Sequence, residues 1–168
     1  MSSGPTSPPN RPSSTSRSGL PPTPRGRTQS VYYRDRKGRE PVKDWLEDLI
    51  KAKPAAAAKI EEHVQEHLNG RRSEAPPPEF PITSQVEGGL RELRVRFGDT
   101  RYRLLYQRSR NLVVILHGLE KNTGAIPASD RQLAQKRFIN FRSRMDGEPR
   151  VRPRAAGHDA PLNRGLER

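Results

Sequence analysis

Between Gly89 and Lys121 apolar and polar residues alternate with a period of two, the spacing of half-buried β-strands. In Leu90 to Phe97, Leu93, Val95 and Phe97 face one way and Glu92, Arg94 and Arg96 the other. Gly98-Asp99-Thr100 is a turn. Arg101 to Arg108 alternates again, with Tyr102, Leu104 and Tyr106 opposite Arg101, Arg103 and Leu105. Ser109-Arg110-Asn111 turns the chain once more. Leu112 to His117 is apolar on both faces, as a central strand covered on both sides would be. The pattern predicts a small antiparallel meander with arginines over part of one face.

The flanking segments supply what covers the other face. Val31-Tyr32-Tyr33 is a β-prone run that reads as a first strand, ending at Arg34-Asp35. Glu40-Pro41 opens a helix with proline in its first turn. Val42, Trp45, Leu46, Leu49 and Ile50 fall on one apolar stripe of that helix. Pro54 starts a second helix, in which Ile60, Val64 and Leu68 mark the buried face and Asn69-Gly70 is the stop signal. The proline-rich run Arg71 to Ser84 reads as a loop. After Lys121 an irregular stretch leads to Ser129 and Gln132, spaced as a capping box for a last helix. Ala134, Phe138, Phe141 and Met145 form its inner face. The order β-α-α-β-β-β-α predicts an α+β domain, a twisted antiparallel-rich sheet packed against helices.

Composition trims this domain at both ends. Only 30% of residues are hydrophobic, and the deficit sits largely at the termini. Residues 1–30, rich in Pro, Ser, Thr, Gly and Arg, hold too little apolar surface to offset the entropy of ordering. They read as a disordered basic tail, and residues 147–168 as a second one, leaving 31–146 as the folded domain. The formal charge is +13; the tails carry +4 and +2 of it, leaving +7 on the domain. Residues 90–110 alone hold seven arginines against two acids. A basic domain with its arginines on one sheet face suggests a polyanionic partner, most simply a nucleic acid. The alternative is arginine used for solubility. With no cysteine, disulfides and cysteine metal sites are excluded. No run approaches the ~20 apolar residues of a membrane span, and the N-terminus lacks the apolar core of a signal peptide. A cytoplasmic protein without membrane contact is expected. No P-loop, dinucleotide fingerprint or nucleophile elbow is present, and no cofactor is expected.

The candidate chemistry lies on the meander. Arg94 and Arg103 sit on neighbouring strands, near enough for one phosphate to bridge two guanidinium forks. The competing reading is a solvated face paired with Glu92 and Glu87. Arg96 and Arg101 flank the turn and suit a nucleic-acid backbone, or are ordinary surface arginines. Tyr106 is a candidate for stacking on a base, or a core tyrosine. Lys121 follows the end of a buried strand, a natural place for a site residue. His117 is the one histidine of the meander, an acid or base near neutral pH or a satisfied buried residue. His63 and His67 stand four apart on a helix, a spacing that binds metals. They lack the acidic companion of a zinc-protease motif, so they read as a solvated face and no metal site is expected.

Four phrases in this order carry a family resemblance: Gly89-Leu90-Arg91-Glu92-Leu93-Arg94, Tyr102-Arg103-Leu104-Leu105-Tyr106, Leu116-His117-Gly118-Leu119-Glu120-Lys121-Asn122-Thr123, and Pro127 leading into the last helix. The chain from about Val31 to Arg144 resembles the RelE/ParE toxin superfamily, and within it the HigB-like branch, often labelled phage-derived Gp49-like. The resemblance implies the toxin of a type II toxin–antitoxin pair. Such a toxin is a metal-independent endoribonuclease that cleaves mRNA on the ribosome. A small helix-turn-helix antitoxin silences it, and oligomers can form through that antitoxin. By position, the resemblance gives Arg94, Arg103 and Lys121 catalytic roles; His117 joins them on its own chemistry. Arg91, Arg96, Arg101 and Tyr106 are then candidates for RNA or ribosome contact. The chain departs from the branch at Arg91, often aromatic, at Asn122, usually a second lysine, and at Ala125, near which a further lysine is expected. The last two departures remove positive charge from the implied site. Two rivals share the fold: a noncatalytic RNA- or ribosome-binding protein, and a ParE-like toxin acting on a topoisomerase.

Overall fold

A computed structural model describes residue 4 and residues 26–121, 124–147 and 155–160. Most of the expected N-terminal tail, Asn122, and much of the expected C-terminal tail lie outside the described residues. The elements run β1 (Gln29–Tyr33), α1 (Pro41–Ala52), α2 (Pro54–His67), β2 (Thr83–Glu87), β3 (Leu90–Phe97), β4 (Thr100–Ser109), β5 (Leu112–Glu120), α3 (Ala128–Asp146) and β6 (Ala156–Asp159). The fold is α+β. One six-stranded sheet has the order β2-β3-β4-β5-β1-β6. Every adjacent pair is antiparallel except β1 with β5.

The alternating strands divide the core into two layers. Leu93, Val95, Tyr102, Leu104, Tyr106, Val113 and Ile115 turn toward α1 and α2, whose Val42, Leu46, Ile60 and Val64 meet them. Leu90, Leu105, Val114 and Leu116 turn the other way, onto Ala134 and Phe141 of α3. β5 runs between β4 and β1, and its Val113–Leu116 run is apolar on both faces, since each face is covered there. Trp45 of α1 packs edge-on against Tyr102, with ring centroids 6.2 Å apart. It also explains Gly118: a Cβ there would stand 2.6 Å from the Trp45 ring.

Four features differ from the sequence reading. The stretch read as a loop up to Ser84 gives way at Thr83 to β2, which pairs with β3. The Gly88-Gly89 turn after Glu87 is the signal for this hairpin; Gly88 has φ +56°. Secondly, Ser129 does not cap α3. The helix begins at Ala128, and Pro127 precedes it without any side-chain cap. The Pro127 carbonyl accepts the amide hydrogens of Asp130 and Arg131 at 3.1 Å each, drawing Ser129 inside the first turn. Thirdly, Arg144 is buried beside the apolar stripe of α3. Its guanidinium donates to Asn140 Oδ1 and to the carbonyls of Arg34 and Asp35, lashing the end of α3 to the exit of β1. Finally, both expected tails contribute to the sheet: Gln29 and Ser30, read as the end of the N-terminal tail, open β1 and pair with β5, and residues 156–159, read as part of the other tail, form β6 along β1. Buried Glu40 holds that strand: its carboxylate accepts the His158 amide hydrogen at 2.6 Å and lies 2.6 Å from His158 Nδ1.

Candidate nucleic-acid interface

Strand register decides which meander side chains share a surface. Arg96 pairs with Arg101, Arg94 with Arg103, and Glu92 with Leu105. On the far side of β4, Arg103 pairs with Leu119 and Leu105 with His117. The Lys121 amide donates to the Arg101 carbonyl at 2.8 Å, which carries the ladder one residue past β5. Three rows follow on one face: Arg96-Arg101-Lys121, Arg94-Arg103-Leu119, and Glu92-Leu105-His117. Five cations therefore occupy the first two rows.

Directly opposed side chains stand about 5 Å apart at Cβ, so like charges there repel. The Arg94 and Arg103 pair is relieved by Glu92 in the next row. Glu92 Oε2 lies 3.4 Å from Arg103 Nε, and Oε1 lies 3.9 Å from Arg94 Nε. Ser84 Oγ of β2 donates to Glu92 Oε1 at 2.7 Å and fixes the carboxylate from the other side. Arg103 is almost wholly buried and Arg94 about a quarter exposed. Burial pushes the Arg103 guanidinium below its usual range; Glu92 opposes that shift, and Arg94 and Arg101 reinforce it. Glu87, the other acid considered as a counter-ion, belongs to α3 instead, pairing with Arg131 and accepting from Gln135.

Beside these rows lies an open groove of about 450 Å³. Arg94, Arg96, Arg101 and Arg103 line it together with Val95, Pro81, Ile82 and His63. His63 was not expected here. Its Nδ1 donates to the Lys59 carbonyl at 3.0 Å, leaving Nε2 as the acceptor of the neutral ring. No spacing in the sequence pointed to this, because the groove is made by the loop before β2 meeting α2. Among the described residues no group of three or more His, Cys, Asp or Glu could hold a metal ion.

Two expected contact residues lie elsewhere. Tyr106 is buried on the α1/α2 face, and Arg91 donates to Thr83 Oγ1 at 2.9 Å and toward Tyr106 Oη at 3.4 Å. Both turn away from the cationic rows, because their positions alternate with Arg94 and Arg103. His117 reaches the correct face through a register shift in the β4–β5 ladder between Leu105 and Tyr106. Such an irregularity re-aims the side chains beyond it. Its ring is then fully engaged. Nε2 lies 2.7 Å from Asp130 Oδ1 and Nδ1 3.5 Å from Arg137 Nη1, both on α3. Arg137 only donates, so Nδ1 accepts and Nε2–H donates to Asp130.

The sequence profile described as "Phage derived protein Gp49-like (DUF891)" matches residues 46–139, more than half of the chain. The chain belongs to the Gp49-like family. That family belongs to the RelE/HigB-like toxin group, a family of toxin–antitoxin toxins whose members typically pair with an antitoxin. No curated protein matches the chain. All three rows of the cationic face fall inside the Gp49-like match, whereas β1 and β6 fall outside it. Among the described residues no helix is long and apolar enough to cross a membrane.

Proposed function

We propose that this Gp49-like chain is a HigB-like toxin that cleaves mRNA on the ribosome and so arrests translation. The observation that carries the reading is the pair of rows in which Arg94 and Arg103 oppose each other with Arg96, Arg101 and Lys121 beside them. Metal-independent cleavage removes a proton from the 2′-hydroxyl, neutralises a five-coordinate phosphate and protonates the 5′-oxygen. The second task suits cations held in place before charge develops. Ser84 fixes Glu92, whose carboxylate faces the Nε atoms of Arg103 and Arg94 and keeps both side chains on this face before a phosphate arrives. Arg103 and Arg94 then stabilise the phosphorane, while Lys121, Arg96 and Arg101 hold the flanking backbone. His117 serves as a clamp between β5 and α3, since both ring nitrogens are engaged. The ribosome is the natural source of substrate alignment for a site dominated by arginine. The folded unit extends from the start of β1 at Gln29 to the end of α3 at Asp146, together with β6, and the antitoxin covers the arginine face with an acidic segment.

A noncatalytic RNA-binding role on the same fold has one observation in its favour. Glu92 already neutralises part of the Arg94 and Arg103 charge. Induced expression in a bacterial host, with mapping of mRNA 5′ ends, separates the readings. The endonuclease gives growth arrest and new in-frame ends, both lost in Arg94→Ala/Arg103→Ala. Arrest without new ends would indicate a topoisomerase-directed toxin. A folded protein giving neither would leave the binding role.

A further inference from the structure

Phe80, in the loop before β2, is 70% exposed, the most open of the large apolar side chains among the described residues. Single exposed apolar residues are common, so exposure alone has no meaning. Its position is what matters. Pro81 and Ile82, the next two residues, line the cationic groove. The Arg94 guanidinium carbon lies 4.9 Å from the Phe80 ring centroid, a cation–π contact that backs one face of the ring. A ring so exposed offers its remaining surface to solvent. Arg94 thus stands between Arg103 and Glu92 on the sheet and Phe80 at the rim.

A cationic track beside an aromatic platform is the combination that holds single-stranded nucleic acid, since every base has a face to stack. We propose that Phe80 seats a base of single-stranded RNA whose adjoining phosphate lies on Arg94 and Arg103. This rests on the RNA reading of the cationic face and assigns it a base-stacking residue on a different element. A base fits better than a partner protein. The ring's chain neighbours Glu79 and Pro81 are exposed, and a protein docking site needs a contiguous apolar patch rather than one ring.

The test is fluorescence anisotropy of the full-length chain with a short single-stranded oligoribonucleotide, 2′-O-methylated so that it cannot be cleaved. Phe80→Ala should weaken binding about tenfold, and Phe80→Trp should preserve it. A second series moves one abasic position along the oligonucleotide. The wild-type chain should lose affinity at one position, and Phe80→Ala should be indifferent to it, a response that a purely structural role would not give. Binding by Phe80→Ala within about twofold of wild type, or unchanged sensitivity to the abasic position, overturns the proposal. So does loss of binding to a cognate antitoxin with RNA affinity intact. The Arg94→Ala/Arg103→Ala variant separates the two levels. If it loses RNA while Phe80→Ala retains it, only the stacking role fails. If wild type and the double variant bind equally, the RNA reading of this face fails with it.

Discussion

At the scale of single residues, the site is a problem of like charge solved by one carboxylate. Arg103 is nearly buried, so removing its counter-ion strands a charge in a low-dielectric place, which costs far more than losing a surface pair. Glu92→Gln should therefore destabilise the domain by about 2–4 kcal/mol in denaturant unfolding. Adding Arg103→Met to that variant should recover most of the loss, because the stranded charge goes with it. Full additivity of the two single losses would show that the pair is not coupled. His117 leads to a different expectation. Its ring ties β5 to α3 through Asp130 and Arg137. His117→Gln should lower stability by about 1 kcal/mol and leave the positions of mRNA cleavage unchanged. Loss of cleavage in a fully folded His117→Gln protein would return the imidazole to the list of catalytic groups.

At the scale of elements, alternation and helical stripes were readable because each is a direct consequence of burial. β3 has the bounds that its alternating residues gave it, and α1 and α2 begin at Pro41 and Pro54 as proline in a first turn requires. The missed elements depend on partners distant in sequence. β2 is short and mostly polar, and it exists because β3 offers an edge. β6 exists because β1 offers another and Glu40 anchors it. The same limit applied to the site. Periodicity could show that Arg94 and Arg103 share a face, and register confirms the pairing. It could not show that His63 and the Phe80 loop would meet that face, nor that a register shift would turn His117 toward α3.

Gly118 lies under the Trp45 ring, so Gly118→Ala should push α1 from the sheet and cost about 1–3 kcal/mol. The additional variant Trp45→Leu should reduce that cost; an unchanged cost would place the strain elsewhere. At the end of α2, burial holds the His67 imidazole below its ordinary value of 6.5; Glu66 opposes this, while His63 and Arg71 reinforce it. A depressed folded value means that the unfolded chain binds the proton more readily. Stability is thus retained above 6.5 and falls as the pH drops through the folded value. Thermal unfolding across that window should show the fall in the wild type and a smaller one in His67→Gln. Equal slopes would assign it to other groups.

For the whole molecule, the Gp49-like match, the α+β fold and the +13 charge converge on one surface. The match spans the whole meander and most of the three helices, the parts that build and brace the cationic rows. A positive face on a positive chain attracts RNA of any sequence, and that attraction weakens with salt. Selectivity must then come from alignment, which is the contribution assigned to the ribosome. The decisive measurement is cleavage of one defined mRNA by purified protein, with and without programmed ribosomes, for wild type and Arg94→Ala/Arg103→Ala. A ribosome-dependent endonuclease with its site on the cationic rows gives cleavage by the wild type on ribosomes, little on naked RNA, and a loss of at least about 100-fold in the variant. Equal cutting of naked RNA, or a fully active double variant, would contradict it.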